Sequence, residues 1–230
     1  MNGESNVTYP QLPDFMKNEF TRRAWDKLAK ERFALAGKRV FDVVVSALVL
    51  LILSPLLLLL ALAVKLDSPG PVFYRQVRVG RYGRDFRIFK FRTMVWNADK
   101  IGLPLTTGKD PRITRVGALI RKFRLDEFPQ LLNVLGGSMS LVGPRPEVRR
   151  YVDRYAPRYM ETLLIRPGIT APSSIAFKDE DRILNSGGDP ETVYVEKILP
   201  PKMALNLAYM DRISVWGDVK VMFRTLTAVF

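Results

Sequence analysis

Residues Val43–Val64 read VVVSALVLLILSPLLLLLALAV, an apolar run interrupted only by two serines and one proline. At about 1.5 Å per residue, a straight helix of this length would cross a hydrocarbon core of about 30 Å. Pro55 stands at the middle of the run. Because proline lacks a backbone donor and clashes with the carbonyl four residues back, it bends or breaks a helix. The Ser54 hydroxyl is the nearest group that can satisfy the freed carbonyl. The sequence therefore predicts a membrane break at Ser54 and Pro55.

Basic residues flank the apolar run on both sides. Lys38 and Arg39 precede it, and Lys65 and Arg75 follow it. Positive charge prefers the cytoplasmic side of a membrane, so a simple span would place one basic flank on the wrong face. A re-entrant helix-break-helix that enters and leaves through one leaflet keeps both flanks on the cytoplasmic side. A kinked span is the first alternative. A buried helix of a soluble protein is the second, although the run is more apolar than most soluble cores.

The amino-acid composition limits the binding partners and the catalytic groups that the chain can use. The 230 residues include 36 Lys and Arg against 23 Asp and Glu, a net charge of +13, which suits anionic membrane lipids or phosphorylated substrates. We predict no nucleic-acid partner, because no nucleic-acid-binding motif is present and a membrane segment explains the basic bias. The chain has no cysteine and no histidine. Catalysis must therefore rely on carboxylates, Lys, Arg, Tyr, Ser or a hard metal such as Mg²⁺.

The patterns divide the chain into three segments. Residues 1–37 form an N-terminal extension with an amphipathic helix, residues 38–66 the re-entrant membrane helix, and residues 67–230 a cytosolic catalytic domain with amphipathic membrane-contacting helices. The N-terminal amphipathic helix, predicted over Asp14–Leu35, either lies on lipid headgroups or packs on the globular domain or on a second subunit. The predicted fold class is α/β, mostly helical with a short β-hairpin or small sheet, in a monotopic membrane protein.

Two further patterns belong to the catalytic segment. Short strands are predicted over Val72–Val79 and Phe86–Met94, around a turn at Gly80–Gly83. The tail from about Val193 onward is predicted to be helical, with a break at Pro200-Pro201. It carries an apolar stripe that serves either as core or as a membrane contact: Trp216, Val219, Met222, Phe223 and Leu226.

Asp126-Glu127 is the most informative polar pair. It stands just before Pro129, which the first turn of a helix tolerates, so the pair is predicted at a helix start. Cations that can accompany it are Lys90, Arg92, Arg121 and Arg145. Two acids among fixed cations suit phosphoryl chemistry, because cations absorb phosphate charge while carboxylates bind Mg²⁺ or attack phosphorus. On the residues alone, a helix cap with surface ion pairs remains an alternative.

A series of motifs in one order resembles a known family. The motifs are Lys38-Arg-Val-Phe-Asp42, Ser54-Pro55, Ser68-Pro-Gly-Pro-Val-Phe73, Arg75-Gln-Val-Arg-Val-Gly80, Phe89-Lys-Phe-Arg-Thr-Met94, Asp110-Pro-Arg-Ile-Thr-Arg-Val-Gly117, Leu125-Asp-Glu-Phe-Pro-Gln-Leu-Leu-Asn-Val-Leu135, Ser138-Met-Ser-Leu-Val-Gly-Pro-Arg-Pro146 and Arg166-Pro-Gly-Ile-Thr170. They cover roughly residues 37–225. In this order they resemble the monotopic bacterial sugar transferases, the polyprenyl-phosphate phosphoglycosyl transferases.

The resemblance implies a reaction and a site. Such enzymes move a sugar-1-phosphate from a UDP-sugar to polyprenyl phosphate and release UMP, at the cytoplasmic face of the bacterial inner membrane. Asp126 would be the nucleophile, and Glu127 would bind or orient Mg²⁺ with it. The loop Pro144, Arg145 and Pro146 would contact the nucleotide. The matching basic positions near the active site are Lys90, Arg92 and Arg121. Anionic lipids and a homodimer partner are further expectations.

Two departures from the family pattern limit the resemblance. Arg124 stands where a small polar residue is frequent. After Thr170 the chain reads Ala-Pro-Ser-Ser, where many relatives have glycine, an aromatic residue and glutamine, so the sequence does not identify the sugar. Asp179, Glu180 and Asp181 form either a second metal or sugar contact or a solvated loop. The alternative functions are a glycosyltransferase that releases UDP and a non-catalytic basic membrane module of a glycan-assembly complex.

Overall fold

A computed structural model describes residues 9–98, 110–184 and 189–229 of the chain. Residues 1–8 of the predicted N-terminal extension lie outside the described part. The α-helices are α1 Glu19–Lys30, α2 Arg32–Asp67, α3 Arg115–Lys122, α4 Gln130–Leu135, α5 Arg149–Val152, α6 Pro172–Ala176, α7 Glu180–Leu184, α8 Pro190–Val193, α9 Leu199–Met210 and α10 Val215–Val229. The 3₁₀ turns are Asp14–Met16, Arg81–Gly83, Leu125–Glu127 and Pro157–Leu164, and Tyr194–Ile198 is π-helical.

The strands are short and form small sheets. They are β1 Phe73–Tyr74, β2 Val77–Val79, β3 Asp85–Arg87, β4 Lys90–Phe91, β5 Ser140–Val142 and β6 Gly168–Thr170. Strands β1 and β4 pair antiparallel, as do β2 and β3, whereas β5 and β6 pair parallel. The predicted strands on either side of the Gly80–Gly83 turn are confirmed, and the mostly helical fold with a small sheet content is confirmed with them. Each predicted strand is divided in two by unpaired residues.

Helix α1 packs on the globular domain. Asn18 and Thr21 form a capping box that starts the helix. The Trp25 ring lies edge-on to Tyr82, at 6.3 Å between ring centroids. The Lys27 ammonium lies 2.6 Å from the Asp211 carboxylate. Of the alternatives for the N-terminal amphipathic helix, packing on the globular domain is observed. The helix is also shorter than predicted, because the chain leaves helical geometry at Glu31 before α2 begins.

Helix α2 contains the whole apolar run. It is 36 residues long and begins at Arg32, six residues before the predicted boundary. The Ser54 hydroxyl donates to the Leu51 carbonyl at 2.8 Å. Leu51 is the residue whose carbonyl loses its donor at Pro55, so the predicted role of Ser54 is confirmed. The helix continues through Pro55 without the interruption that the sequence predicts, because this hydroxyl replaces the missing backbone donor.

Helix α2 is exposed along its middle. In the described part of the chain it is the helix long and apolar enough to cross a membrane, and only 6% of its most apolar window is buried. Leu51, Ile52 and Leu58 are each 70% exposed or more. This exposure argues against the buried helix of a soluble protein, because such a helix would be covered by its own domain.

The N-terminal end of α2 is bound to the domain by buried polar contacts. The Lys38 ammonium donates to the Asp218 carboxylate of α10 at 2.5 Å. The Asp42 carboxylate accepts hydrogen bonds from the Ser140 hydroxyl at 2.7 Å and from the Leu141 amide at 3.2 Å, both in β5. The Lys38-Arg-Val-Phe-Asp42 motif thus joins the membrane helix to the terminal helix and to the parallel strand pair.

The C-terminal end of α2 is bound to the same domain. The Asp67 carboxylate accepts from the Val116 amide at 3.0 Å. Val64 is buried and packs with Phe91 and Ile120. Both ends of α2 therefore contact one domain, and between them Leu57, Leu60 and Ala61 also pack against this apolar cluster.

We expect Asp218→Asn to destabilise the fold. Asp218 is fully buried and its partner Lys38 is 9% exposed, so the neutral amide leaves a buried ammonium with only the more distant Asp42 carboxylate at 3.7 Å. Breaking a buried ion pair lowers the free energy of unfolding by about 3–5 kcal/mol. Because the Asp42 carboxylate remains near Lys38, we expect a loss at the lower end of this range. Chemical unfolding in detergent measures the loss. Asp211→Asn, in the exposed pair with Lys27, should cost less than about 1 kcal/mol. Equal losses would contradict the assigned role.

The C-terminal segment follows the predicted pattern. Pro200-Pro201 stands in the first turn of α9, directly after the π-helical turn, so the predicted break is an element boundary. The stripe on α10 is divided between core and surface. Met222 packs against the main core, whereas Trp216, Phe223 and Leu226 are more than half exposed. The stripe therefore serves as core at Met222, whereas a membrane contact of its exposed residues stays a prediction.

Candidate active site

The Asp126-Glu127 pair lies in the 3₁₀ turn Leu125–Glu127, immediately before α4. Arg124 enters the turn in a left-handed conformation, with φ of 51°, which changes the direction of the chain after α3. The predicted location at a helix start is confirmed. The capping alternative is not, because Pro129 is the N-cap of α4 and no side chain caps this end.

Glu127 is held between two cations from different parts of the fold. The Lys90 ammonium of β4 donates to Glu127 Oε1 at 2.7 Å. The Arg145 guanidinium donates to both carboxylate oxygens, to Oε2 at 3.3 Å. Burial alone would raise the pKa of Glu127, but Arg145 and Lys90 outweigh burial and hold it well below its usual range. Glu127 in turn raises the pKa of Arg145. This carboxylate therefore stays ionised and fixes both cations beside its neighbour.

Asp126 differs from Glu127 in its surroundings. Within the described residues, the structure gives its half-buried carboxylate no ion pair and no side-chain hydrogen bond. Burial raises the pKa of Asp126, and Glu127 raises it further, whereas Lys90 and Arg121 lower it. An ionised carboxylate with no cation bound directly to it keeps its lone pairs available. Asp126 is thus suited to attack, and Glu127 to hold the cations in place.

We expect Arg121→Gln to change the pH profile of any reaction that uses ionised Asp126. Because the Arg121 cation lowers the pKa of Asp126, its removal raises that pKa, and more of the carboxylate is protonated at a given acidic pH. The acid limb of the donor kcat/KM profile should therefore move to higher pH. Lys122→Gln, at the exposed next position, should leave the limb unchanged. An unmoved limb in Arg121→Gln would show that Arg121 does not act on Asp126.

The Pro144-Arg145-Pro146 loop follows β5 and presents Arg145 to the pair. The loop passes close to the segment before β6: a Cβ on Gly143 would lie 2.6 Å from the Arg166 carbonyl oxygen, so only glycine fits there. The Arg78 guanidinium donates to the Pro146 carbonyl at 3.1 Å. The two prolines and this contact limit the motion of the loop, which positions the Arg145 guanidinium on Glu127.

The structure brings together most of the residues predicted from the sequence. Lys90 and Arg145 contact Glu127, and Arg121 acts on the pKa of Asp126. Arg92 is placed elsewhere. Its guanidinium donates to the carbonyl groups of Pro69, Ser68 and Val64, at 2.5, 2.7 and 3.2 Å. Arg92 therefore holds the C-terminal end of α2, and its contact with a substrate stays a prediction.

We expect Arg92→Lys to lower stability more than donor binding. A lysine keeps the charge but cannot reach three carbonyls with the fixed fork of a guanidinium. Loss of charged hydrogen bonds at a buried site costs about 1.5–3 kcal/mol. The melting temperature in detergent should fall, whereas the KM for the donor should stay within about twofold if Arg92 acts only at the helix end. A large rise in donor KM at unchanged melting temperature would instead support the predicted substrate contact.

A buried polar cluster behind the loop was not predicted from the sequence. The Tyr194 hydroxyl donates to Glu147, directly after Pro146. The Lys202 ammonium lies 2.8 Å from the Glu180 carboxylate and 4.0 Å from that of Glu147. Glu147 follows the Pro-Arg-Pro motif directly, but its partners are distant in sequence, so no local pattern indicates the cluster. Glu180 of the predicted acidic segment thus has a structural ion-pair partner. The side chain of Asp181 lies outside the described part.

A cavity of about 320 Å³ reaches Glu127 and Arg145. One wall is formed by Val45 and Val49 of α2, and another by Met222 and Leu226 of α10. The remainder is largely apolar, with a few hydroxyl groups and the cations Arg124 and Lys178. The site therefore has a charged part, at the pair itself, and an adjoining apolar chamber.

The described residues contain no group of three or more acidic, His or Cys side chains that could form a complete metal cage. Mg²⁺ typically uses one or two carboxylates and completes its shell with water and phosphate oxygens. The neighbouring oxygens of Asp126 and Glu127 fit that requirement for a metal that arrives with a diphosphate.

Comparisons with known proteins show the family of the chain. A family model described as bacterial sugar transferase matches residues 33–230. A UDP-glucose:undecaprenyl-phosphate glucose-1-phosphate transferase of Caulobacter vibrioides is 42% identical over 195 residues, 84% of this chain and 69% of that protein. A UDP-N-acetylgalactosamine-undecaprenyl-phosphate N-acetylgalactosaminephosphotransferase of Aeromonas hydrophila is 39% identical over 200 residues, 84% of this chain and 43% of that protein.

Other relatives differ in length. The exopolysaccharide production protein PSS of Rhizobium leguminosarum bv. phaseoli is 37% identical over 201 residues, which cover 84% of this chain and 95% of that protein. The chain thus spans less than half of the Aeromonas relative but nearly all of the Rhizobium one. The part of the chain that matches the family model, residues 33–230, contains nearly all of α2 and the Asp126-Glu127 pair.

Proposed function

Because the chain belongs to the bacterial sugar transferases, we propose that it moves a sugar-1-phosphate from a UDP-sugar to polyprenyl phosphate and releases UMP. The observation that carries the proposal is the division of roles in the acidic pair. Asp126 has no ion pair among the described residues, whereas Glu127 fixes Lys90 and Arg145 next to it. The names of the similar proteins describe the same kind of transfer.

The first displacement uses Asp126 as nucleophile. A carboxylate oxygen of Asp126 attacks the phosphorus that carries the sugar, and the bond from that phosphorus to the bridging oxygen breaks. UMP leaves with the bridging oxygen and its electron pair, and the sugar phosphate remains as an acyl phosphate on Asp126. No proton needs to move, so the absence of histidine is no obstacle. Lys90 and Arg145 reduce the repulsion between the attacking carboxylate and the phosphate oxygens.

The second displacement regenerates the carboxylate. A phosphate oxygen of polyprenyl phosphate attacks the same phosphorus, and the bond from phosphorus to the Asp126 oxygen breaks. The product is polyprenyl-diphosphate-sugar, which would be the first membrane step of polysaccharide or glycoconjugate assembly. Two successive displacements let a water-soluble donor and a lipid acceptor use one nucleophile in turn, with no need to bind both at once.

We include Mg²⁺ as the cofactor of this reaction. Asp126 and Glu127 would hold the metal, which would supply positive charge to the phosphate groups of the donor. Lys90 and Arg145 already occupy positions on Glu127 in the protein itself. These residues therefore carry the preorganised part of the charge stabilisation, whether or not the donor has arrived.

The location of the site supports a re-entrant path for α2 at the cytoplasmic face. The helix is bound to one domain at both ends, through Asp42 and Asp67. A spanning helix would place one of these ends on the opposite side of the bilayer. On α10, Lys220 and Arg224 lie beside exposed Trp216 and Phe223, a combination suited to an interface with anionic headgroups. Homodimer formation stays a prediction.

Cysteine labelling tests the re-entrant path. The chain has no native cysteine, so Ser5→Cys and Asp153→Cys each introduce a single label, one before α2 and one after it. In intact spheroplasts a membrane-impermeant maleimide should label neither position, and after lysis it should label both. Labelling of one position in intact spheroplasts would establish a span and reject the re-entrant path.

The activity is tested with a donor panel. Purified protein in detergent is incubated with Mg²⁺, polyprenyl phosphate and a series of UDP-sugars that includes UDP-glucose and UDP-N-acetylgalactosamine, the two sugars in the names of the relatives. We expect UMP release with at least one donor. Release of UDP would instead identify a glycosyltransferase that breaks the bond to the sugar. Release of neither nucleotide by a folded protein would favour the non-catalytic membrane module.

A further inference from the structure

The cavity beside the acidic pair combines a charged end with an apolar body. Its charged end is formed by Glu127 and Arg145, and Lys178 and Arg124 contribute to its lining. Its volume of about 320 Å³ is at the lower end of the range of roughly 300–1,000 Å³ for small-ligand sites. A ligand that fits this chamber must carry a compact anionic group and an apolar remainder.

The apolar walls connect the cavity to the membrane-facing helices. Val45 and Val49 lie on the N-terminal half of α2, and the neighbouring Leu48 on the same helix is 53% exposed. Leu226 lies on α10 and is itself 56% exposed. The chamber thus extends from Glu127 and Arg145 to the space between α2 and α10, where exposed apolar side chains lie beside it.

The polar groups of the cavity have one unmet hydrogen-bonding need. The Ser174 hydroxyl oxygen is buried and has no partner in the described structure. Thr170 and Thr225, by contrast, bond to each other through their hydroxyls at 2.7 Å. A buried hydroxyl without a partner is costly, and a phosphate oxygen in the chamber would satisfy it.

A nucleoside fits these walls poorly. A uracil and a ribose present several donors and acceptors, each of which must find a partner when it leaves water. Apart from its charged residues, which are Glu127, Arg145, Arg124 and Lys178, the chamber offers the Ser174 hydroxyl and two threonines that already bond to each other, and the rest of its lining is aliphatic and aromatic. The donor nucleotide is therefore better accommodated outside this chamber.

We propose that this chamber binds the acceptor, with its phosphate at Arg145 and Ser174 and its phosphate-proximal isoprene units between α2 and α10. This inference rests on the proposed function, of which it names the acceptor site. The chamber is too small for a long polyprenyl chain, so the remainder of the chain lies in the bilayer. The protein therefore recognises the phosphate and the first isoprene units, and a short prenyl phosphate such as farnesyl phosphate is sufficient to occupy the site.

A matched pair of variants tests the site. Val49→Trp fills the chamber, whereas Leu48→Trp adds the same side chain at the adjacent exposed position of α2. Each protein is assayed with UDP-sugar alone for a single release of UMP, and then with farnesyl phosphate as acceptor. We expect Val49→Trp to retain the release of UMP without acceptor and to raise the acceptor KM at least tenfold. Leu48→Trp should resemble the parent in both assays.

Ser174→Ala gives a second measurement that does not depend on a bulky substitution. It should raise the KM for farnesyl phosphate several-fold and leave the acceptor-independent release of UMP unchanged. If Val49→Trp fails to fold, the acceptor KM of Ser174→Ala tests the assignment of the chamber instead. Parent-like acceptor KM in Ser174→Ala, or in a folded Val49→Trp, overturns the assignment of the chamber. Absence of UMP release from the parent protein would instead overturn the proposed function itself, so the two failures are distinguishable.

Discussion

Asp126→Asn should abolish turnover, with a loss of roughly 10⁴-fold or more, as expected when a covalent nucleophile is removed. The amide has nearly the shape of the carboxylate but cannot form an acyl phosphate. Because burial raises the pKa of Asp126, its charge is not favoured by the fold, and the variant should be at least as stable as the parent. The loss of turnover would therefore reflect removal of the nucleophile and not unfolding of the protein.

Trapping the intermediate makes this expectation specific. With a donor labelled at the phosphorus next to the sugar, the parent should acquire label in the absence of acceptor, on the peptide that contains Asp126. Asp126→Asn should acquire none. Asp153→Asn, which changes an exposed carboxylate elsewhere, should label like the parent. Undiminished turnover in Asp126→Asn, or label on another residue, would reject the covalent mechanism.

Glu127→Gln should reduce turnover by about 10²–10³-fold, the range typical of the loss of one preorganised electrostatic contact. The amide cannot neutralise Lys90 and Arg145, so both cations lose the anion that holds them beside Asp126. Glu161→Gln is a matched control. The Glu161 side chain is 19% exposed, close to the 17% of Glu127, and its ion-pair partner Arg158 lies outside the site. Equal losses of turnover in the two variants would contradict the assigned role of Glu127.

The stability of Glu127→Gln should depend on pH in a defined direction. The pKa of Glu127 is lowered in the folded protein from an ordinary value of 4.5. Its ionised form therefore contributes stability above pH 4.5, and this contribution is lost as pH falls through the lowered pKa. Relative to the parent, the variant should be less stable near neutral pH, and the difference should shrink in acid. A difference independent of pH would show that the charge of Glu127 does not stabilise the fold.

Local chemistry made parts of this molecule predictable. The Ser54 hydroxyl was expected to satisfy a carbonyl freed by Pro55, and it bonds to Leu51, because partner and proline lie within one helical turn. The same short range explains the prediction of Asp126-Glu127 at a helix start and of the break at Pro200-Pro201. Each of these features depends on residues that are close in sequence, where geometry is nearly fixed.

Features that depend on distant residues were less accessible. Arg92 was assigned to the substrate, but its guanidinium lies on carbonyls that precede it by more than twenty residues. Similarly, the sequence did not predict that Tyr194 and Lys202 would meet Glu147. A basic residue next to an active-site motif looks the same in sequence whether it binds phosphate or ends a helix. Only the path of the chain in space distinguishes these roles.

Lys90 and Arg92 are two positions apart in the sequence, and their side chains bind different parts of the fold. Lys90 is attached to Glu127, and Arg92 to the end of α2. This short stretch of backbone therefore links the C-terminal end of α2 to the charged groups beside Asp126. A displacement of that helix end would be transmitted along β4 to Lys90, and from Lys90 to Glu127.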